Sequence, residues 1–158
     1  MDKYTWVDIG SSYLPSELNA AYLMGQLDIA DQILKDRMDA WNAYYSCLST
    51  LLTDGQVELP FIPSGCEHNA HMFWIKTANT DERAELIGYL KKSGISSVFH
   101  YIPLHSSPAG CRFGRFYGND RYTTKESERL LRLPMYWGLT ADDSIRISEA
   151  VAMFYKHH

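Results

Sequence analysis

Residues 71–77, His-Met-Phe-Trp-Ile-Lys-Thr, have the strongest β-strand character in this chain of 158 residues. Aromatic and β-branched residues favour the pleated, half-buried surface of a sheet. A helix can begin after this strand at Asn79 or Thr80 and end before Gly94, because Asn and Thr cap helix N-termini and Gly terminates helices. Residues 95–101 follow as a second predicted strand. The pattern therefore predicts strand, helix and strand in succession.

The N-terminal third predicts one long helix. Residues 1–14 are an extended or irregular lead-in, and Pro15 suits the first turn of a helix that ends near Gly55. A helix over residues 15–54 would be roughly 58 Å long at about 1.5 Å per residue. That length is excessive for one compact domain. We therefore expect the helix to be kinked or split near residues 25–28, or to lie along something outside this chain.

The C-terminal part predicts two further helices and a short strand. Residues 106–122 are a glycine-containing loop, and Thr123 begins a predicted capping box and a helix to about Leu131. A strand over 133–136 is placed at a sheet edge by Pro134. The last helix begins at Thr140, with a periodic face expected at Ile145, Ser148, Val151, Ala152 and Tyr155. The order predicts an α+β fold: a small antiparallel or mixed sheet with helices packed on one face, preceded by a long, kinked helix.

Charge and composition exclude several classes of function. Lys and Arg number 15 against 19 Asp and Glu, so the net charge of −4 disfavours binding to nucleic acid or to an anionic membrane. The sequence has no apolar run of about 18 residues, and its N-terminus lacks the apolar core of a signal peptide. The cysteines, Cys47, Cys66 and Cys111, are odd in number and scattered, as in a reducing cytoplasm. We therefore expect a cytoplasmic protein.

Residues 100–105, His-Tyr-Ile-Pro-Leu-His, place two imidazoles and a phenol on one short segment. Pro103 fixes its own φ and favours an extended residue before it. Strict alternation would put Tyr101 and His105 on the side opposite to His100, unless the proline bends the chain. Such rings can face a substrate. The alternative is a half-buried strand end whose histidines are hydrogen-bonded locally.

Three weaker patterns also suggest ligands. Cys66, His68 and His71 could bind zinc, but no second Cys/His pair stands at a metal-site spacing, so we expect no metal. A Gly-Ser-Ser sequence at 10–12 precedes a helix and could contact a phosphate. Arginines alternate with aromatic residues in the loop and could hold a nucleotide diphosphate, although such a loop is more often solvated. These arginines are Arg112, Arg115 and Arg121, with Phe113, Phe116, Tyr117 and Tyr122.

Taken together, these segments resemble the C-terminal domain of the DegT/DnrJ/EryC1/StrS family, the PLP-dependent nucleotide-sugar aminotransferases of fold type I. The resemblance covers nearly the whole chain. Residues 2–8 and 121–128 are especially similar to members that act on TDP-4-oxo-6-deoxy-D-glucose. The other matching segments are 8–21, 26–27, 94–95, 100–105, 127–135 and the helix after 139–140.

The resemblance implies amino transfer from L-glutamate to the C4 ketone of a TDP-linked 4-oxo-6-deoxyhexose in surface-polysaccharide sugar synthesis. It also implies a dimer with sites at the subunit interface, where the lead-in reaches the neighbouring cofactor. Ser12 and Tyr13 are then the expected cofactor-binding residues, although many members carry an amide where Ser12 stands. His100, Tyr101 and His105 border the expected sugar pocket.

Family members are more than twice as long as this chain, and their Schiff-base lysine lies in a preceding large domain. None of the lysines here stands in the family's lysine motif. We therefore expect that residues 1–158 form the small domain, contain no catalytic residue, bind no PLP alone, and work with a missing large domain or as a homo-oligomer. The alternative is a stand-alone, non-catalytic sugar-nucleotide-binding or vestigial module.

Overall fold

The computed structural model describes residues 13–157, so residues 1–12 of the lead-in predicted at 1–14 lie outside the described residues. The chain divides into two compact units, 1–32 and 33–158, which are described separately. The described elements follow in chain order: α1 Glu17–Leu27, α2 Ala30–Thr53, β1 Phe73–Lys76, α3 Thr80–Lys92, β2 Val98–Phe99, a 3₁₀ turn Leu104–Ser106, α4 Pro108–Phe113, α5 Thr123–Arg129, β3 Leu130–Leu133 and α6 Ala141–Lys156.

The predicted long helix is split. In the first unit α1 begins after Ser16, whose hydroxyl accepts a hydrogen bond from the Asn19 N–H at 3.2 Å. Helix α1 ends at Leu27, and α2 begins at Ala30, so two residues separate the helices. The break at residues 28–29 lies at the end of the predicted range of 25–28, so the helix is split, which was one of the expected outcomes. None of the α1 residues is buried.

The sheet of the second unit has the strand order β1-β3-β2, with both pairs antiparallel. This confirms the antiparallel form of the predicted sheet. Phe73 lies opposite Leu133, and Ile75 lies opposite Leu131, so these four buried side chains share one face. The helices α2, α3 and α6 add their buried residues to the same core.

Two strand predictions were wrong in position. The strand predicted at 133–136 on a sheet edge is Leu130–Leu133 in the centre of the sheet, and it ends before Pro134. Proline has no N–H for a central strand, so the strand ends where the proline begins. The second strand contains only Val98 and Phe99 instead of 95–101.

Helix caps follow the predictions for α3 and α6. The Asn79 side chain accepts a hydrogen bond from the Glu82 N–H at 3.0 Å, and Gly94 takes a φ of +72° after the helix. Thr140 and Asp143 form a reciprocal capping box at the start of α6. These caps fix the helix starts because they satisfy N–H groups that have no partner within the helix.

The capping box predicted at Thr123 was wrong. Tyr122 occupies the N-cap position of α5, and its side chain makes no capping hydrogen bond. The Asp120 carboxylate accepts the Thr124 N–H instead. The loop predicted at 106–122 also contains a short helix, α4. Ser107 is its N-cap, and Pro108 lies in its first turn.

Candidate functional site

An apolar pocket of about 530 Å³ lies in the second unit, between the 3₁₀ turn, α4, the segment after α4 and the start of α5. Pockets that combine apolar walls with a few polar groups are the usual form of small-molecule sites. The polar groups here come from an imidazole, a guanidinium and a hydroxyl. The lining residues are Leu104, His105, Ala109, Gly110, Phe113, Gly114, Arg115, Phe116 and Thr123.

Close backbone packing holds one wall of this pocket. A Cβ atom on Gly110 would lie 1.6 Å from the Leu104 carbonyl oxygen, so only glycine fits there. The Ser107 hydroxyl donates to the Leu104 carbonyl at 2.7 Å and accepts the Gly110 N–H at 3.0 Å. These contacts join the 3₁₀ turn to α4, and they therefore fix the position of the neighbouring His105.

The His105 ring is held from two sides. Its Nε2 atom lies 3.0 Å from an Asp120 carboxylate oxygen, and its ring centroid lies 4.5 Å from that of Phe116. The Thr124 hydroxyl lies 3.5 Å from the same nitrogen and donates to Asp120. The contact with Asp120 orients the imidazole, because a hydrogen bond at one ring nitrogen fixes the ring plane.

Asp120 connects the loop to α5. The hydrogen bond from the Thr124 hydroxyl, followed by that from the Thr124 N–H and the proximity of His105, lowers the pKa of the Asp120 carboxyl despite opposing desolvation. The carboxylate form is therefore the one that these contacts favour. Sequence reasoning missed Asp120, although its spacing of four residues before Thr124 at a helix start was a usable signal.

The other two predicted sugar-site residues lie outside the set that lines the pocket. His100 packs edge-on against Tyr101, with ring centroids 5.0 Å apart, and Tyr101 is 79% exposed. The His100 Nδ1 atom is buried without a hydrogen-bond partner among the described residues. The structure thus brings only His105 into the pocket. Substrate contact by His100, Tyr101 and His105 stays a prediction.

The predicted cofactor-binding residues lie at the edge of the described chain. Tyr13 is 92% exposed, and Ser12 lies outside the described residues. Their contact with a cofactor therefore also stays a prediction.

For two of the described lysines, Lys35 and Lys76, contacts with carboxylates favour the ammonium form, whereas a Schiff-base amine must lose its proton. The hydrogen bond with Asp39, at 2.6 Å, raises the pKa of Lys35. Burial by itself would lower the pKa of Lys76, but its hydrogen bonds with Glu126 and Glu58 outweigh burial and raise it. No described lysine lines the pocket. The absence of PLP binding by the chain alone stays a prediction.

The residues considered for zinc have other contacts. The His68 ring centroid lies 4.4 Å from that of Trp41, and its Nδ1 atom accepts the Ala70 N–H at 3.3 Å. Across residues 13–157, no group of three or more His, Cys, Asp or Glu side chains is arranged to hold a metal. In the same range, no helix combines the length and apolarity needed to cross a bilayer.

The arginines that the sequence suggested for binding a nucleotide diphosphate lie in different places, one in the pocket and others at the surface. Arg115 lines the pocket. The Arg112 guanidinium lies over the Phe113 ring, 4.8 Å from its centroid. Arg121 is exposed. A diphosphate contact by these arginines stays a prediction.

The chain has the α+β architecture found in aminotransferases of fold type I. It is similar to DesV of S. venezuelae, solved in complex with a ketimine intermediate, with a TM-score of 0.77 and 25% identity over 97% of this chain and 40% of that one. The profile of the DegT/DnrJ/EryC1/StrS aminotransferase family matches residues 1–152. The chain belongs to that family.

Two curated relatives match nearly the whole chain. A pleiotropic regulatory protein of Geobacillus stearothermophilus is 27% identical over 156 residues, covering 98% of this chain and 41% of its own length. The dTDP-3-amino-3,4,6-trideoxy-alpha-D-glucose transaminase of Streptomyces venezuelae is 27% identical over 152 residues, covering 94% and 38%. The chain thus spans about two fifths of the length of these relatives. The similar chain Spr1654 of Streptococcus pneumoniae, 22% identical, has been solved in both a PLP form and a PMP form.

Proposed function

We propose that this chain is the C-terminal, small-domain part of a PLP-dependent nucleotide-sugar aminotransferase. The reaction is amino transfer from L-glutamate to the C4 ketone of TDP-4-oxo-6-deoxy-D-glucose, which gives a 4-amino-4,6-dideoxy sugar for surface polysaccharide. The observation that carries the proposal is the family match over residues 1–152. A relative named as a transaminase of a dTDP-linked amino sugar supports the substrate class.

The proposed role of this chain is to form the sugar side of the site. The pocket beside His105 offers an oriented imidazole, the Arg115 guanidinium and two phenylalanine rings. Such groups can bind a deoxy-sugar and its anionic diphosphate, because apolar rings pack against the methyl-bearing face and a guanidinium donates hydrogen bonds to phosphate oxygen atoms. His105 is the residue that we propose to touch the sugar.

We further propose that the chain alone does not catalyse the transfer, and that it works in the cytoplasm with a large domain and as a dimer. PLP supplies the amino-group chemistry when it is bound. Such chemistry needs a lysine amine that can lose its proton, whereas carboxylates hold Lys35 and Lys76 in the ammonium form.

A second candidate function is a stand-alone module that binds a sugar nucleotide without catalysis. The observation in its favour is that the second unit has a continuous hydrophobic core and a pocket formed entirely by its own residues. A unit of this kind can fold and bind a ligand without adding chemistry.

The first experiment adds PLP to the purified chain and follows the absorbance of a Schiff base. Borohydride reduction and intact-mass measurement then detect a covalent adduct, with parallel samples containing glutamate and the TDP-4-oxo sugar. A full-length family member serves as the positive control. We expect no adduct and no turnover from the chain alone. A stoichiometric adduct on one lysine together with turnover would contradict the proposal.

A second experiment separates the two candidates. The chain is mixed with a separately produced family large domain that contains the Schiff-base lysine, and amino transfer is measured. Turnover that appears only in the mixture, and that falls at least tenfold in His105→Ala, supports the half-enzyme. Saturable binding of the TDP sugar by the chain, with no turnover in any mixture, supports the binding module.

A further inference from the structure

A second groove in the second unit, of about 420 Å³, collects positive charge. It carries Arg37 from α2, His71 from the segment before β1, and Arg132 from β3. Among the residues that the structure describes, no carboxylate lines it. The remaining lining residues are Met72, Ser96, Val98, Leu133, Pro134 and Met135.

Neutral groups hold Arg37 in place. Its Nε and Nη2 atoms donate to the Ala70 carbonyl at 3.1 and 3.0 Å, and Nη2 also donates to the His71 carbonyl. These bonds fix the guanidinium without neutralising its charge. The neighbouring carboxylate in sequence, Asp36, accepts the Gly138 N–H at 2.7 Å. Within residues 13–157, Arg37 has no ion pair.

Arg132 has even fewer partners. It lies in the central strand, opposite Trp74 on one side and Val98 on the other. Its Nε atom is buried and has no hydrogen-bond partner among the described residues, and no described carboxylate pairs with its guanidinium. An unsatisfied buried donor is unfavourable, and more so when it carries charge. A planar guanidinium matches two oxygen atoms of a carboxylate or phosphate.

We propose that this groove binds an oxyanion, the carboxylate or phosphate group of a small molecule, between Arg132 and Arg37 with His71 at its rim. The charge of the whole chain does not explain the cluster, since the net charge is −4. Some other cations of the same unit do meet carboxylates, as Arg129 meets Glu58 at 2.6 Å. A concave surface lined by charges of one sign concentrates ions of the opposite sign. The proposal rests on the contacts of Arg37 and Arg132 and does not require the proposed aminotransferase reaction.

The experiment titrates inorganic phosphate, and separately L-glutamate, into the isotope-labelled chain with chloride balancing the ionic strength. Nuclear magnetic resonance follows the Arg132 Nε–H and the Trp74 indole N–H. We expect a saturable shift of the Arg132 signal with at least one probe. Saturation by phosphate alone identifies a phosphate ligand, by glutamate alone a carboxylate ligand, and by both a general oxyanion site.

Variants test whether the groove is responsible. Arg132→Gln is expected to weaken binding at least tenfold. Arg132→Lys is expected to weaken it less, because lysine keeps the positive charge but cannot donate the two parallel hydrogen bonds of a guanidinium. His71→Asn changes an exposed side chain, so it tests the groove even if the Arg132 variants fold poorly, and a loss of about threefold is expected. Lys92→Gln removes an exposed charge outside the groove and is the matched control.

Two results would overturn the proposal. One is the absence of a saturable shift with both probes in the wild-type chain. The other is an equal loss of affinity in His71→Asn and Lys92→Gln, or in Arg132→Gln and Lys92→Gln, since non-specific attraction to net charge would then account for the binding.

Discussion

At the scale of single residues, two positions determine the geometry of the pocket: Gly110, which lines it, and Asp120, which contacts His105. Gly110 allows the 3₁₀ turn to approach α4, and Asp120 orients His105. The sequence indicated His105 through its spacing with His100. It did not indicate the role of Gly110 or the contact between Asp120 and His105, because both depend on contacts between segments that the folded chain brings together.

Gly110→Ala is expected to destabilise the chain, because its Cβ would overlap the Leu104 carbonyl oxygen. Overpacking of this kind costs roughly 1–3 kcal/mol. The measurement is the free energy of unfolding in urea. Gly88→Ala is the control, because Gly88 lies inside α3 with no atom within 4 Å of the new Cβ, and it should stabilise by about 0.5–1 kcal/mol. Equal effects of the two changes would contradict the close approach.

Asp120→Asn is expected to lower stability at neutral pH and to lose that effect in acid. The folded pKa of Asp120 lies below the ordinary value of about 3.9. The contribution is therefore complete above the unfolded pKa and disappears as the pH falls through the folded pKa. The measurement is the urea midpoint of both proteins between about pH 6 and pH 2.5.

Thr124→Val removes the hydroxyl donor and should reproduce part of the Asp120→Asn effect, because that hydrogen bond is the largest cause of the lowered pKa. A difference between wild type and Asp120→Asn that stays constant down to pH 2.5 would show that the carboxylate contacts do not contribute.

At the scale of elements, local signals placed the helices better than the strands. The caps at Asn79 and Thr140 were confirmed because a cap acts within four residues. The predicted face of α6 was correct for Ser148 and Val151. It was wrong for Ile145, which is 38% exposed, whereas Phe154 is buried. The sequence of α6 is compatible with more than one buried face, and packing against the core determines which face is buried.

Thr140→Ala is expected to destabilise the chain by about 0.5–2 kcal/mol, because it removes the hydroxyl that caps α6. Thr123→Ala is the matched control. Thr123 begins α5 but has no capping hydrogen bond, so its loss should change stability by less than about 0.5 kcal/mol. The measurement is the free energy of unfolding of both variants. A larger loss of stability in Thr123→Ala than in Thr140→Ala would contradict the observed start of α5.

At the scale of the whole molecule, the described part of the first unit exposes an unusual amount of apolar surface. Its exposed side chains include Tyr13, Leu14, Leu18, Tyr22, Leu23, Met24 and Leu27. Exposed apolar patches of this kind mark surfaces that bind other protein. This supports the proposal that the chain acts within a larger assembly.

The purified chain is expected to self-associate with increasing concentration. Leu18→Glu together with Tyr22→Glu should shift it toward monomer, because charges oppose burial of that face. The measurement is sedimentation velocity over a hundredfold range of concentration. Phe61→Glu changes an equally exposed apolar residue outside α1 and should leave association unchanged. A strictly monomeric wild-type chain would contradict the expectation.

The sequence by itself determined the class of fold, the split of the first helix and the family. Aromatic and β-branched content, caps and glycines act locally, and the resemblance rests on contiguous motifs. Only the tertiary structure decided that residues 130–133 are the central strand, that Asp120 orients His105, and that Arg37 and Arg132 share one groove. The physical reason is sequence separation, because strand pairing and side-chain contacts between distant segments depend on the folded chain path.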